Sequence, residues 1–468
     1  MPKTRSPLLK NLLSLMPLGL LGRAGTLLIY ALLAKWFGAT EGTDFIYYYW
    51  SIATFLIELL SAASAYSVLV PLLAEARSES EEAARRCVQA VFSLYLIVMP
   101  GVSCLFIGIA WGVSQWFFPN TGLSLSAEIG IVAGFACFVG ITTIRWILKA
   151  ILDTYQVFHL PAVTQGVRAL IVIATIYIGK PYLVLLSIPL ALIFGELFQT
   201  FILFRRCCAI LNLQARHLLY PAQLRWKTPH TQQFLRQCLL MMGAAVSDGL
   251  NPVVDRGMGS SLGASSVSKL DYALRLCAIP ETLTGVTLPV LLSHWAKLAA
   301  GKRTDKKGDE REEIHHCSSG SPEPETGQTN KPNRVLQQSV WRGVVAIVVL
   351  MGPFLVGFYV FRGPIVNLLY GHGELSEAGL RHIASLLGIY LIGMLPRLMS
   401  RLLIRAHLAR QNHAVVLSAT LIRLVLNPLL NWIFMQFWGL SGIPWSTALL
   451  SYPICAFIAL AFFRSSRP

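Results

Sequence analysis

In the apolar tract DYALRLCAIPETLTGVTLPVLLSH, residues 271–294, Asp271, Arg275 and Glu281 carry ionisable groups in a setting where an isolated charge is expensive. A planar guanidinium can grip a phosphate with two parallel hydrogen bonds, so Arg275 reads as part of a cavity wall for an anionic headgroup. Asp271 stands one helical turn before it and either pairs with it at i,i+4 or orients it. Pro280 and Pro289 are expected to kink the helix and open backbone groups toward that cavity. Arg23 is a second such arginine, flanked by Gly19, Gly22 and Gly25, small residues that let a neighbouring helix or a ligand come close. Asp44 falls at a helix start, where it is either an N-cap or an anion held by the helix dipole. Arg397, Arg401 and Arg405 recur at i,i+4 spacing, matched elsewhere by Arg145 and Lys149. They read as side chains snorkelling to lipid headgroups, or as a basic gate that draws in a phosphorylated lipid. Glu58, Glu196, Asp248, Asp255 and Arg256 complete the charges inside apolar segments.

The metalloprotease pattern HExxH and the phosphate-loop pattern GxxxxGK[ST] do not occur, and the sequence reads as a non-enzyme. The nine cysteines are scattered without a CxxC pair, which gives neither a disulfide framework nor a redox site. His315, His316 and Cys317 read as solvated loop residues rather than metal ligands.

The elements that must position these charges follow from composition. The 468-residue chain is 54% hydrophobic and 13% charged, with a mean hydropathy of +0.58, outside the range of a soluble domain. Apolar runs of about twenty residues, enough to cross a ~30 Å hydrocarbon core, recur throughout. Backbone groups in lipid must bond internally, so the runs are helices. The expected fold class is an all-α polytopic membrane protein with about twelve spans: 10–36, 44–73, 87–115, 127–151, 159–179, 182–204, 234–260, 267–298, 338–361, 379–409, 414–436 and 442–463. The first is too long for a signal peptide and reads as a retained span. The run IYYYW, 46–50, reads as an aromatic belt at the outer interface.

The net charge of +16 is placed asymmetrically. Lys and Arg crowd both termini, the 74–86, 205–236 and 299–336 loops and the 397–410 region, whereas the loops near 40, 120, 263, 370 and 440 carry almost none. This positive-inside pattern puts both termini in the cytoplasm and removes the case for a nucleic-acid partner. The polar segment 301–333, rich in charge, Gly, Ser and Pro, predicts a disordered cytoplasmic loop over 299–336.

An internal repeat predicts two halves, 1–215 and 216–468, each a six-helix bundle, arranged pseudo-symmetrically around a central cavity. RWILKAILDTYQVFHLPAVTQGVR (145–168) lies on RLLIRAHLARQNHAVVLSATLIR (401–423), pairing Arg145 with Arg401, Lys149 with Arg405 and, one slipped residue later, Arg168 with Arg423. FGATEGTDF (37–45) echoes LGASSVSKLDY (262–272).

GRAGTLLIYALLAKWFGATEGTDFIYYYWSIATFL, VVDRGMGSSLGASSVSKLDYALRLCAIPETLTGVTLPVLLS, PIVNLLYGHGELS, AILDTYQVFHLPA and RLLIRAHLARQNHAVVLSATLIRLVLNPLLNWIF resemble, in order along most of the chain, the MurJ (MviN) lipid II flippase family of the multidrug/oligosaccharidyl-lipid/polysaccharide exporter superfamily. The resemblance implies a bacterial inner-membrane protein that moves an undecaprenyl-pyrophosphate-linked saccharide by alternating access. It matches Arg23 and Arg275 to the family's cavity arginines and Asp44 to its acidic residue after the first span. It also implies a sodium ion held by Asp255, Asn427, Asn431, the Ile443 carbonyl and Thr447. The chain departs from the family at Ile29 and Tyr30, where the family has an arginine and an aspartate, at Ser51, where it has an arginine, and at Asn431, where it has an aspartate. The twelve expected spans leave out two further helices that in the family form a groove for the lipid tail. Two other readings stand beside this one. A cation-coupled drug or polysaccharide exporter of the same superfamily favours an acidic or aromatic cavity. A non-transporting membrane scaffold needs no buried charge.

Overall fold

The computed structural model describes residues 22, 24–62, 68–118, 122–213, 229–285, 331–410 and 412–464. Arg23, Pro289 and the His315, His316 and Cys317 group lie outside the described residues, as does the expected loop up to residue 330. From Lys331 onward that loop is already helix, so its expected end at 336 is too late.

Every regular element among the described residues is helical. In order they are α1 (Ala24–Phe37), α2 (Glu41–Ile57), α3 (Val70–Glu79), α4 (Glu81–Phe117), α5 (Leu125–Thr154), α6 (His159–Leu183), α7 (Ser187–Leu211), α8 (Pro229–Ser260), α9 (Ser266–Gly285), α10 (Lys331–Val360), α11 (Arg362–Tyr370), α12 (Glu377–Ile392), α13 (Met394–Ala409), α14 (His413–Trp438) and α15 (Gly442–Arg464). Most starts carry the expected chemistry. Thr40 forms a capping box with Thr43 at α2, and the Ser80 and Ser124 side chains accept from Ala83 N–H and Ala127 N–H at α4 and α5.

The stretch His159–Leu211 is apolar over 53 residues, and as one straight helix it would reach about 80 Å, far beyond a bilayer. Instead, Val184–Leu186 forms a 3₁₀ turn. Across it α6 and α7 fold back on each other, with Gln199 on α7 donating to the Pro161 carbonyl and to Thr164 Oγ1 on α6, each at 3.2 Å. Ala414–Arg464 is divided in the same way by the 3₁₀ turn Gly439–Ser441.

The expected span 379–409 is broken. α12 and α13 meet at Gly393 with a 44° bend. Pro396 has no N–H to give the carbonyl of Ile392 four residues back, and Tyr452 Oη donates to that carbonyl at 2.9 Å instead. A Cβ on Gly393 would collide with the backbone of Ala448, so glycine here lets α13 and α15 approach closely.

The described residues group into two compact units, one of residues 1–272 and 366–383, the other of 273–365 and 384–468. The first has a core of side chains from α3, α4, α5 and α7, among them Leu73, Val88, Phe92, Leu148, Ile151 and Leu203. The second packs Val340, Leu402, Ala406, Ile454, Ile458 and Phe462 from α10, α13 and α15. Large apolar side chains point outward along α4, α6, α10 and α14, including Leu105, Leu170, Leu350 and Val425. A surface of this kind suits lipid tails rather than water.

Candidate functional site

Asp44 sits within the first turn of α2, whose N-cap is Thr40, so the N-cap reading of Asp44 is corrected. Its carboxylate serves another helix instead. It accepts from Ser268 N–H at 2.7 Å and from Ser268 Oγ, in the first turn of α9, where an anion satisfies orphan N–H groups and the dipole together. Thr43 Oγ1 and Ser268 Oγ lie 2.9 Å apart. Tyr272 Oη donates to the Gly38 carbonyl at 2.7 Å, and Tyr370 Oη to the Tyr272 carbonyl at 3.2 Å. The two segments that echo each other in sequence, 37–45 and 262–272, are therefore bonded to one another. The 371–376 turn joins them: a Cβ on Gly373 would overlap the Lys35 backbone, and Glu374 N–H donates to the Lys35 carbonyl at 3.4 Å.

Asp271 is fully buried, and an ion partner reaches it from the preceding helix. Arg256 on α8 donates to Asp271 Oδ1 through Nε at 3.2 Å and through Nη2, and its Nη1 donates to the Pro252 carbonyl at 2.9 Å. Asp255, one position before, is buried in the same unit. Arg275 lies in the other unit, half-buried on α9.

Two further carboxylates are each clasped by two arginines. Glu196 on α7 meets Arg145 Nε of α5 at 2.5 Å and Arg168 Nε of α6 at 3.1 Å, the second close enough for an ion pair but not aligned as a hydrogen bond. Glu281 on α9 meets Arg397 and Arg401 of α13 at 3.1 and 2.9 Å. Arg401 is thus held by a carboxylate, whereas Arg405, one turn on, is exposed. Lys149, its counterpart in the repeat, pairs with Asp153 at 2.9 Å. The pairings of Glu196 and Glu281 escaped the sequence reading, and the only available signal was the arginine register shared by the two repeats.

The oxygen ligands expected on α14 and α15 all fall in one unit. Asn427 and Asn431 stand one turn apart on α14 and are buried. Asn431 Oδ1 accepts from Ser446 Oγ of α15, and that hydroxyl also lies 2.8 Å from the Ile443 carbonyl. Beside it, Thr447 Oγ1 is buried without a hydrogen-bond partner. Each of these groups offers an oxygen, the donor atom type that a hard cation takes. Among the described residues no cluster of three or more His, Cys, Asp or Glu could hold a metal ion.

The aromatic run corrects its expectation as well. Tyr47, Tyr48, Tyr49 and Trp50 are all buried, packed among Tyr30, Phe135 and Tyr272 rather than set in a belt. Trp50 lies 5.1 Å from Tyr30, ring to ring, and Tyr49 Oη is 2.9 Å from Ser114 Oγ. Ile29, Tyr30 and Ser51 are buried as well.

Described residues that are all helical in their regular elements, with charges paired in the interior of apolar helices and an apolar exterior, define a polytopic membrane protein. It matches the solved structure of the lipid II flippase MurJ in its inward closed conformation with a TM-score of 0.72 at 18% identity, covering 96% of this chain and 87% of that one. An inward-facing multidrug exporter of the MATE family matches with a TM-score of 0.65 at 11% identity, covering 96% and 94%. The chain matches the family described as lipid II flippase MurJ over residues 33–467 and belongs to that family. The MurJ of Burkholderia cenocepacia is 24% identical over 450 residues, 93% of this chain and 80% of that protein. A probable MurJ of Buchnera aphidicola is 19% identical over 456 residues, 95% and 81%. Family and apolar helices together make this a multi-pass protein of the bacterial inner membrane.

Proposed function

We propose that the protein moves an undecaprenyl-pyrophosphate-linked saccharide, lipid II or a related glycan precursor, across the inner membrane by alternating access of two six-helix halves, 1–215 and 216–468, with both termini in the cytoplasm. The observation that carries this reading is membership of the lipid II flippase family over nearly the whole chain. Arg275 grips the pyrophosphate together with Arg23, Asp44 and Asp271 hold the helices that frame it, and Arg401 and Arg405 form the basic entry. Asn427, Asn431, the Ile443 carbonyl and Thr447 hold a sodium ion, joined in the family resemblance by Asp255. A bound cation supplies coupling: it favours one conformation over another by its differential affinity for them. No covalent step is needed. Likeness to the MATE structures is one of fold alone and lends the exporter reading no separate support.

The test is flipping of labelled lipid-linked glycan in vesicles, with membrane levels of each variant measured. Arg275→Lys keeps the charge but loses the bidentate fork, so it is expected to insert normally and lose most transport, while Arg275→Ala loses all of it. Wild-type rates in both Arg275→Ala and Arg23→Ala would overturn the headgroup role of these arginines.

A further inference from the structure

The two arginine clasps differ in exposure, and the difference has chemical content. Around Glu196 the clasp is sealed: the carboxylate is 1% exposed and Arg145 and Arg168 are 13% and 20% exposed. Around Glu281 it is open: the carboxylate is 20% exposed, Arg397 23% and Arg401 45%. The internal repeat places Arg145 and Arg401 at the same register position, so the first clasp serves as a control for the second.

A sealed clasp stays shut, because parting it strands charges away from water. An open one exchanges partners readily, since water and counter-ions replace whichever group leaves. Glu281 brings one negative charge against the two of Arg397 and Arg401, which stand one turn apart on α13. Two guanidiniums also carry more N–H donors than two carboxylate oxygens can satisfy. A pyrophosphate brings more charge and more oxygens, and is the better ligand for the same pair.

We propose that Arg397 and Arg401 form a second recognition point for a pyrophosphate-bearing headgroup and that Glu281 is its resident competitor. The carboxylate keeps the two arginines in place, and an arriving pyrophosphate displaces it. Anions with less charge and fewer oxygens than a pyrophosphate repay that displacement less well, which makes Glu281 a specificity-determining residue. The substrate class rests on the function proposed above.

The experiment measures binding by calorimetry in the full-length protein, carrying Arg275→Ala so that the first arginine site does not contribute. The probes are inorganic pyrophosphate, inorganic monophosphate, and undecaprenyl pyrophosphate in lipid nanodiscs. Removing the competitor with Glu281→Gln is expected to raise pyrophosphate affinity at least three-fold and to narrow the preference over monophosphate. Glu281→Asp should restore the wild-type values. Arg397→Gln with Arg401→Gln should lower affinity about ten-fold. A gain with both pyrophosphate probes assigns the site to the pyrophosphate group itself, and a gain with the lipid probe alone assigns it to the membrane-borne headgroup. No gain with either overturns the proposal, even if the double arginine variant has lost binding through misfolding. Wild-type protein that flips lipid-linked glycan while Glu281→Gln shows no gain keeps the proposed function and loses this site. A clear gain in the binding assay, with wild-type protein that flips no lipid-linked glycan, does the reverse.

Discussion

Glu196 and Glu281 show how one residue type takes its meaning from its surroundings. Glu196 ties α5, α6 and α7 together through two arginines in a setting nearly free of water. Breaking one partner of a buried pair costs about 3–5 kcal/mol, and the partial exposure of the arginines puts this case toward ~3. Glu196→Gln should therefore lower the thermal midpoint of the detergent-solubilised protein by several degrees, with Glu196→Asp between it and wild type. A variant as stable as wild type would show that the clasp contributes nothing. At this scale the sequence revealed residue types but not partners. Asp271 has a plausible partner one turn away in Arg275, and i,i+4 logic finds it. It also forms an ion pair with Arg256, fifteen positions back on another helix. Ser268, the partner of Asp44, lies 224 positions away. Only tertiary packing decides such pairs, and nothing in local spacing encodes them.

Helices were far more legible, because a lipid environment demands long apolar runs with internally bonded backbone. α5, α6, α14 and α15 fall within four residues of the expected spans, and α4 and α7 within seven. What escaped were breaks within apolar runs: the π-helical turn Glu58–Ala62 after α2, and the bend between α12 and α13. Hydropathy is blind to these, since the residues at a break are as apolar as their neighbours. The bend depends on three residues acting together, Gly393 for close approach, Pro396 for the missing N–H and Tyr452 to satisfy the freed carbonyl. Gly393→Ala is expected to force α13 and α15 apart, a core overpacking that costs about 1–3 kcal/mol. Tyr452→Phe, which leaves the Ile392 carbonyl without its donor, should cost about 1–3 kcal/mol as well. Thermal midpoints in detergent check both, and Gly393→Ala as stable as wild type would remove the close-packing argument.

For the whole molecule, the internal repeat carried information that single elements did not: segments 37–45 and 262–272, alike in sequence, are bonded to each other, and Arg145 and Arg401, in the same register, each meet a carboxylate. The oxygen-bearing groups proposed to hold sodium on α14 and α15 allow a test of the molecule as a single thermodynamic system. A cation that binds the folded state alone stabilises it by mass action, about 1.4 kcal/mol at ten times its Kd. In a chain of this size that is a rise of roughly 1–2 °C in the thermal midpoint. The expected outcome is a higher midpoint in sodium than in potassium at equal ionic strength. Thr447→Val separates this from a packing effect. Thr447 Oγ1 has no hydrogen-bond partner, so replacing it with a methyl group should leave the midpoint in potassium unchanged or raised. If the oxygen coordinates sodium, the same change abolishes the difference between the two salts, and Asp255→Ala should weaken it. A sodium response that persists undiminished in Thr447→Val would place the ion elsewhere, and no response in the wild type would remove it.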